Sequence, residues 1–146
     1  MKKTVLILIV SLLTLACNKP ISPSDISKIN GYWEIEKVIF PDGEDKKYTI
    51  NQSYDYFEVK NNKGFRKKVM PQLDGTFLVN DDSEQLEIKE GKGKYFIDYK
   101  TPFSKWKEEL ILVSDEQLVI LNDEKKEYHY KRATPLNIIP DGKKTQ

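Results

Sequence analysis

The chain is 146 residues long, which leaves room for one domain at the usual ~100–200 residues per domain. Charged residues make up 32% of it, yet it also carries eight Tyr, six Phe and two Trp, an aromatic load that excludes a wholly disordered chain. Its 24 basic and 23 acidic residues nearly cancel, so no long-range field draws it to nucleic acid.

In chain order, residues 1–16 come first and differ from the rest. Lys2 and Lys3 precede an apolar run, Val5 to Ala16, broken only by Ser11 and Thr14. The run is shorter than the ~20 residues that span a bilayer and has the length and flanks of an export signal. Removing it takes away two basic residues and no acidic ones, so the remainder carries 22 against 23, a net charge of −1. Thr14-Leu15-Ala16-Cys17 follows, with the small Ala16 before the one cysteine of the chain. This stretch resembles the lipobox of bacterial lipoproteins, with Thr14 where leucine is usual. The resemblance implies cleavage before Cys17 and acylation of its thiol. Asn18 after the cysteine implies sorting to the outer membrane, with the domain facing the periplasm. A single cysteine leaves no disulfide within the chain.

Residues 17–28 read as the lipidated cysteine and a tether, with Pro20 and Pro23 and little to bury. Ser24 and Asp25 suit the cap of one helical turn through Lys28. From residue 29 to 133 the texture is that of short apolar or alternating runs divided by turn residues. The expected strands are Tyr32–Phe40, Tyr54–Lys60, Phe65–Met70, Thr76–Asn80, Gln85–Lys89, Lys94–Lys100, Trp106–Val113, Gln117–Leu121 and Glu127–Arg132, with Lys47–Ile50 a short strand or loop. Pro41-Asp42-Gly43, Asn61-Asn62-Lys63-Gly64 and Gly91-Lys92-Gly93 supply turns. Residues 134–146 read as a loosely ordered tail. Short connections make neighbours antiparallel. The expectation is an all-β domain, an antiparallel up-and-down β-barrel of eight to nine short strands, with a β-sandwich as the alternative. Alternation would turn Lys37 and Lys67 inward, and a bulge near Glu36 would repair the first.

The domain opens on Asn30-Gly31-Tyr32-Trp33 and ends on Tyr128-His129-Tyr130-Lys131-Arg132. With Gly64-Phe65-Arg66-Lys67-Lys68-Val69 between them, these segments resemble small lipocalin-like lipoproteins of Gram-negative bacteria, a calycin-type group largely without assigned activity. The resemblance implies that Trp33 closes one barrel end and that a basic residue of the last strand lies across its ring. Alternation puts Tyr128, Tyr130 and Arg132 on one face, which makes Arg132 that residue.

Candidate chemistry is sparse. His129 is the one histidine and falls on the opposite face from Tyr130, away from any triad. Asp81, Asp82 and Glu84 lack the spacing of a calcium loop and read as an acidic turn. Glu108 and Glu109 alternate to opposite faces. Arg66-Lys67-Lys68 reads as a charged strand that shields a sheet edge or pairs across strands. No cofactor, metal or nucleic acid is expected, and no enzyme. The apolar set that includes Phe57, Val69, Phe77, Leu86, Ile97 and Leu118 either fills the barrel or lines a cavity. For a cavity, Phe65, Tyr95, Tyr99, Trp106, Tyr128 and Tyr130 are the candidate ligand-lining residues, suited to a small apolar or amphipathic molecule. The alternative is a structural or protein-interaction lipoprotein with a filled barrel and an apolar patch at Leu136, Ile138 and Ile139.

Overall fold

In a computed structural model of the protein, which describes residues 20–133, a short 3₁₀ helix (Pro23–Ile29) is followed by ten strands. They are β1 (Gly31–Ile39), β2 (Asp45–Lys47), β3 (Tyr54–Lys60), β4 (Lys63–Pro71), β5 (Phe77–Val79), β6 (Glu84–Gly91), β7 (Lys94–Lys100), β8 (Lys105–Val113), β9 (Gln117–Leu121) and β10 (Glu127–Arg132). Eight of them form one antiparallel circuit, β1-β3-β4-β6-β7-β8-β9-β10, which closes because β10 pairs with β1. A sandwich would leave that pairing open, so the barrel is the observed architecture. The remaining two strands are short additions: β2 pairs with β1, and β5 with β4. The expected signal, Cys17 and the expected tail with Leu136, Ile138 and Ile139 lie outside the described residues.

Turn chemistry sets the register of the hairpins. Asn61 and Asn62 have φ of 51° and 62°, the two left-handed residues of a type I′ turn, and Lys92 and Gly93 repeat the device at 55° and 73°. Two bulges bend the walls. Glu36 is the extra residue of β1, between Ile35 opposite Tyr130 and Lys37 opposite His129, so that Trp33, Ile35 and Val38 all reach the interior. Ile111 does the same in β8 and returns Val113 to the core.

The core fills one half of the barrel. Ile29, Trp33, Phe57, Ile97, Leu118 and Ile120 are at most 1% exposed. Ile26 and Ile29 of the 3₁₀ helix belong to the same cluster, so from Pro23 onward the segment expected as a tether is part of the domain. Its start is fixed by Asp25, whose carboxylate accepts from the Ser22 N–H (3.0 Å) and hydroxyl (2.6 Å), and not by Ser24. A second cluster lies outside the barrel, where Phe77 of β5 stacks on Tyr32 at 4.2 Å, with Tyr54, Val69 and Tyr56 around them. Val69 and Phe77, expected in the interior set, belong to this outer layer.

Gly64 marks the tightest backbone approach. A Cβ added there would lie 1.8 Å from the Glu58 carbonyl oxygen, while one added at Gly93 would meet nothing within 4 Å. Gly64→Ala therefore forces β3 and β4 apart and should cost about 2–3 kcal/mol or more. Gly93→Ala carries only the left-handed backbone penalty, about 1–2 kcal/mol. Urea denaturation midpoints of the two variants check the order.

Candidate functional site

The barrel has a closed end and an open end, and different chemistry occupies each. At the closed end the Trp33 indole N–H donates to the Ile29 carbonyl (2.7 Å), which ties the 3₁₀ helix over the opening. The Arg132 guanidinium lies 3.9 Å from the centre of the Trp33 ring. Its N–H groups donate to the carbonyls of Lys28 (2.7 Å), Asp115 (2.8 Å), Ser114 (3.3 Å) and Asn30. One side chain thus joins the helix end, the start of β1 and the β8–β9 turn. Gly31 is adjacent, at φ 110°, and a Cβ on it would come within 3.0 Å of the guanidinium.

Toward the open end the interior is charged. Arg66, on β4 opposite Phe57, points inward with its side chain only 13% exposed. It lies 4.5 Å over the Tyr99 ring, is ion-paired with Glu84, and approaches the partly buried Glu108 at 3.6 Å. On the next inward position of β4, Lys68 pairs with the buried Asp55 of β3 at 2.7 Å. Burial works against the Arg66 charge, but Tyr99, Glu84, Asp55 and Glu108 outweigh it and hold the guanidinium pKa above its ordinary value. Burial pushes the Glu108 carboxyl up, and Arg66 and Tyr99 only partly draw it back. Burial likewise raises the Tyr99 and Tyr130 hydroxyls well above the ordinary range. A chamber of about 200 Å³ opens among Arg66, Lys68, Glu108, Ile120, Tyr128 and Tyr130.

The expected lining residues distribute unevenly. Tyr128 and Tyr130 line the chamber. Tyr99 and Trp106 stack on each other at 5.0 Å and also form part of a wider cleft of about 690 Å³ on the β6–β7–β8 wall. Tyr95 is buried in the filled half. Phe65 is not in the interior at all. The register that turns Arg66 and Lys68 inward sends Phe65 outward, where its ring sits 6.2 Å from Tyr56 and Lys67 lies 5.4 Å over it. Of the two readings of Arg66-Lys67-Lys68, edge shield or cross-strand pairing, the structure shows the second: Arg66 pairs with Glu84 of β6 and Lys68 with Asp55 of β3. Sequence reasoning missed Asp55, Arg66 and Glu108 as interior residues. The available signal was their mutual charge balance at inward positions of three strands.

The other candidates stand apart. His129 is on the outer wall, 3.0 Å from Glu127. Glu109 faces away from Glu108 and pairs with Lys94 at 2.7 Å. Asp81 and Asp82 are exposed on the β5–β6 loop. Among the described residues no group of three His, Cys, Asp or Glu side chains is placed to hold a metal ion.

A closed eight-stranded antiparallel barrel with an arginine-capped tryptophan at one end is a lipocalin-like fold. The sequence profile of the lipocalin-like domain matches residues 29–120, and the chain belongs to that family. Two solved structures are similar in fold. A lipocalin-like protein from Bacteroides uniformis ATCC 8492 is 10% identical, with a TM-score of 0.46, over 73% of this chain and 99% of that one. An uncharacterized protein from Bacteroides eggerthii DSM 20697 is 11% identical, with a TM-score of 0.45, over 71% of this chain and 98% of that one. No curated protein matches the sequence.

Two tests follow from this geometry. Arg132→Lys keeps the charge but cannot reach four carbonyls on three segments, so it should lower unfolding stability by about 2 kcal/mol or more. Lys131→Ala, at an exposed lysine 3.5 Å from Glu34, should stay within about 0.5 kcal/mol. Thermal or urea unfolding separates them. For Glu108 the folded-state pKa is raised, so its contribution favours folding below the ordinary glutamate value of about 4.3 and is lost as pH rises through the folded value. Glu108→Gln should therefore gain stability relative to the wild type as pH is raised toward neutrality. A relative loss over that range, in paired denaturation curves, would contradict the assignment.

Proposed function

We propose that the protein is a lipid-anchored binding protein of the bacterial cell envelope, held at the outer membrane through acyl chains on Cys17, with the domain on the periplasmic side. Two or three acyl chains, at ~0.8 kcal/mol per buried CH₂, are enough for stable anchoring. Its ligand is a small amphipathic molecule whose polar group enters the chamber in the open half of the barrel. The observation that supports this reading is the chamber itself: charged and hydroxyl groups surround about 200 Å³ of space where a filled barrel would place apolar side chains. Buried ionic groups are costly unless paired and hydrogen-bonded, so a wholly apolar guest suits these walls poorly. The volume also lies below the ~300–1,000 Å³ of pockets that enclose drug-sized ligands, which keeps the bound group small. We propose no catalytic step.

A second reading, docking of another envelope protein, draws support from Met70, Leu73, Leu78 and Val79, which are exposed along the β4–β5 hairpin. Native mass spectrometry of the acylated full-length protein, extracted gently from its own membranes, decides between the two. The binding reading expects a non-covalent mass that is lost on denaturation and absent from Ile120→Phe, which fills the chamber. A bare domain with acyl mass on Cys17 favours docking. Absence of acyl mass on Cys17 refutes the anchor.

A further inference from the structure

The β7–β8 turn carries a feature that neither the barrel nor the chamber uses. Phe103 is 97% exposed at its tip. The turn is nevertheless well held: the Thr101 hydroxyl accepts from the N–H groups of Phe103 (3.2 Å) and Ser104 (3.0 Å), and the Thr101 N–H donates to the Ser104 carbonyl (2.9 Å). A rigid turn therefore presents a large apolar ring to the outside. On either side of it, Lys100 and Lys105 stand directly opposite each other in the β7–β8 register. Like charges so placed destabilise a strand pair. Neighbouring lysines on these walls have carboxylate partners, Lys89 and Lys107 with Asp98, Lys94 with Glu109. Among the described residues Lys100 and Lys105 form no ion pair. An exposed aromatic ring flanked by unpaired lysines is complementary to an anionic bilayer surface, with the ring among the headgroups and the ammonium groups at lipid phosphates.

The same strand pair meets the start of the described chain at its other end. Pro20 and Ile21 line a cleft with Gly93, Lys94, Tyr95 and Glu109. Cys17 is three residues before Pro20, a reach of about 11 Å at most for an extended chain. On the β7 side of the tip, Asp81, Asp82 and Glu84 share a cleft of about 780 Å³ with Lys100 and Phe103. The acidic groups lie on the β7 side of the tip, so the β8 side, with Lys105, is the more positive.

We propose that the outer face of the β7–β8 hairpin is a docking surface for anionic phospholipid bilayer, with Phe103 inserted and Lys100 and Lys105 at lipid phosphates. The barrel then lies on its side, with its axis parallel to the membrane plane. The sideways orientation rests on the anchor at Cys17; the chemistry of the surface does not.

The test uses full-length protein with Pro102→Cys, labelled with an environment-sensitive fluorophore, which leaves Phe103 and the Thr101–Ser104 contacts in place. Vesicles of phosphatidylcholine, with and without phosphatidylglycerol, are the probe. Leu73→Cys, 79% exposed on the other hairpin beside Asp74, is the control site. The label at 102 should become shielded from an aqueous quencher on phosphatidylglycerol vesicles, and the label at 73 should remain accessible. Adding Lys100→Gln and Lys105→Gln should weaken that shielding about tenfold or more, at roughly a factor of five per lysine near an anionic surface. Equal accessibility at 102 and 73 would overturn the proposal, as would shielding that survives both lysine changes and Phe103→Ser. The acyl mass on Cys17 is read on the same sample. If it is absent but vesicle binding persists and depends on Phe103, the anchor fails and the surface stands.

Discussion

The seal at the closed end of the barrel depends on a single side chain at the end of the last strand. Arg132 reaches back across β1 to cover the Trp33 ring and donates to carbonyls from three separate segments. Those carbonyls sit at a helix end, a strand start and a turn, where no ladder partner is available to them. A guanidinium suits the task because it offers five donors in a fixed plane and a flat face for the indole. The Trp33 N–H then carries the tie on to the 3₁₀ helix. Removal of this contact would leave β10 paired to β1 along its length but free at the end that seals the core.

The interior is partitioned along its axis, and the partition explains why so small a barrel has a chamber. Aliphatic and aromatic side chains pack one half to near-zero exposure. In the other half, Arg66 pairs with Glu84 and Glu108, and Lys68 with Asp55, beside a chamber lined by Tyr128 and Tyr130. Charges so placed cannot collapse onto one another as apolar groups do, because each needs its partner at a set distance and direction. Space left between them is therefore polar and persistent. Its walls titrate unevenly, with Glu108 raised by burial and Arg66 held charged by its neighbours.

Much of the architecture was legible in the amino-acid order. Turn residues marked the hairpins, and period-two alternation was clean where inward positions were apolar, as at Tyr95, Ile97 and Tyr99 or Leu118 and Ile120. The bulge at Glu36 was legible because alternation alone would have buried Lys37. On β4 the logic inverted. Its inward positions are Arg66 and Lys68 and its outward ones Phe65 and Val69, so a rule that turns apolar residues to the core selects the wrong face. Only the facing strands resolve this, since Asp55 and Glu108 supply the opposite charge and β5 supplies Phe77 to cover the outer apolar face. The candidate site was thus half legible: its tyrosines followed from alternation, and its charged residues needed the register. Strand β2 was displaced by a few residues, because its three exposed residues carry no periodic signal.

The closure at Arg132 has a consequence for how the chain folds. The residues it joins are 102 positions apart, and the pairing of β1 with β10 spans nearly the whole domain. Hairpins such as β3–β4 and β6–β7 are local and inexpensive to close, whereas this seam must wait until the last strand exists. Until then β1 has only β2 and β3 along parts of its length, and its remaining edge can pair with strands of other chains. A chain delivered N-terminus first would carry that open edge through most of its emergence. The interval before β10 arrives, more than the stability of the finished barrel, is when such a chain is most vulnerable to aggregation.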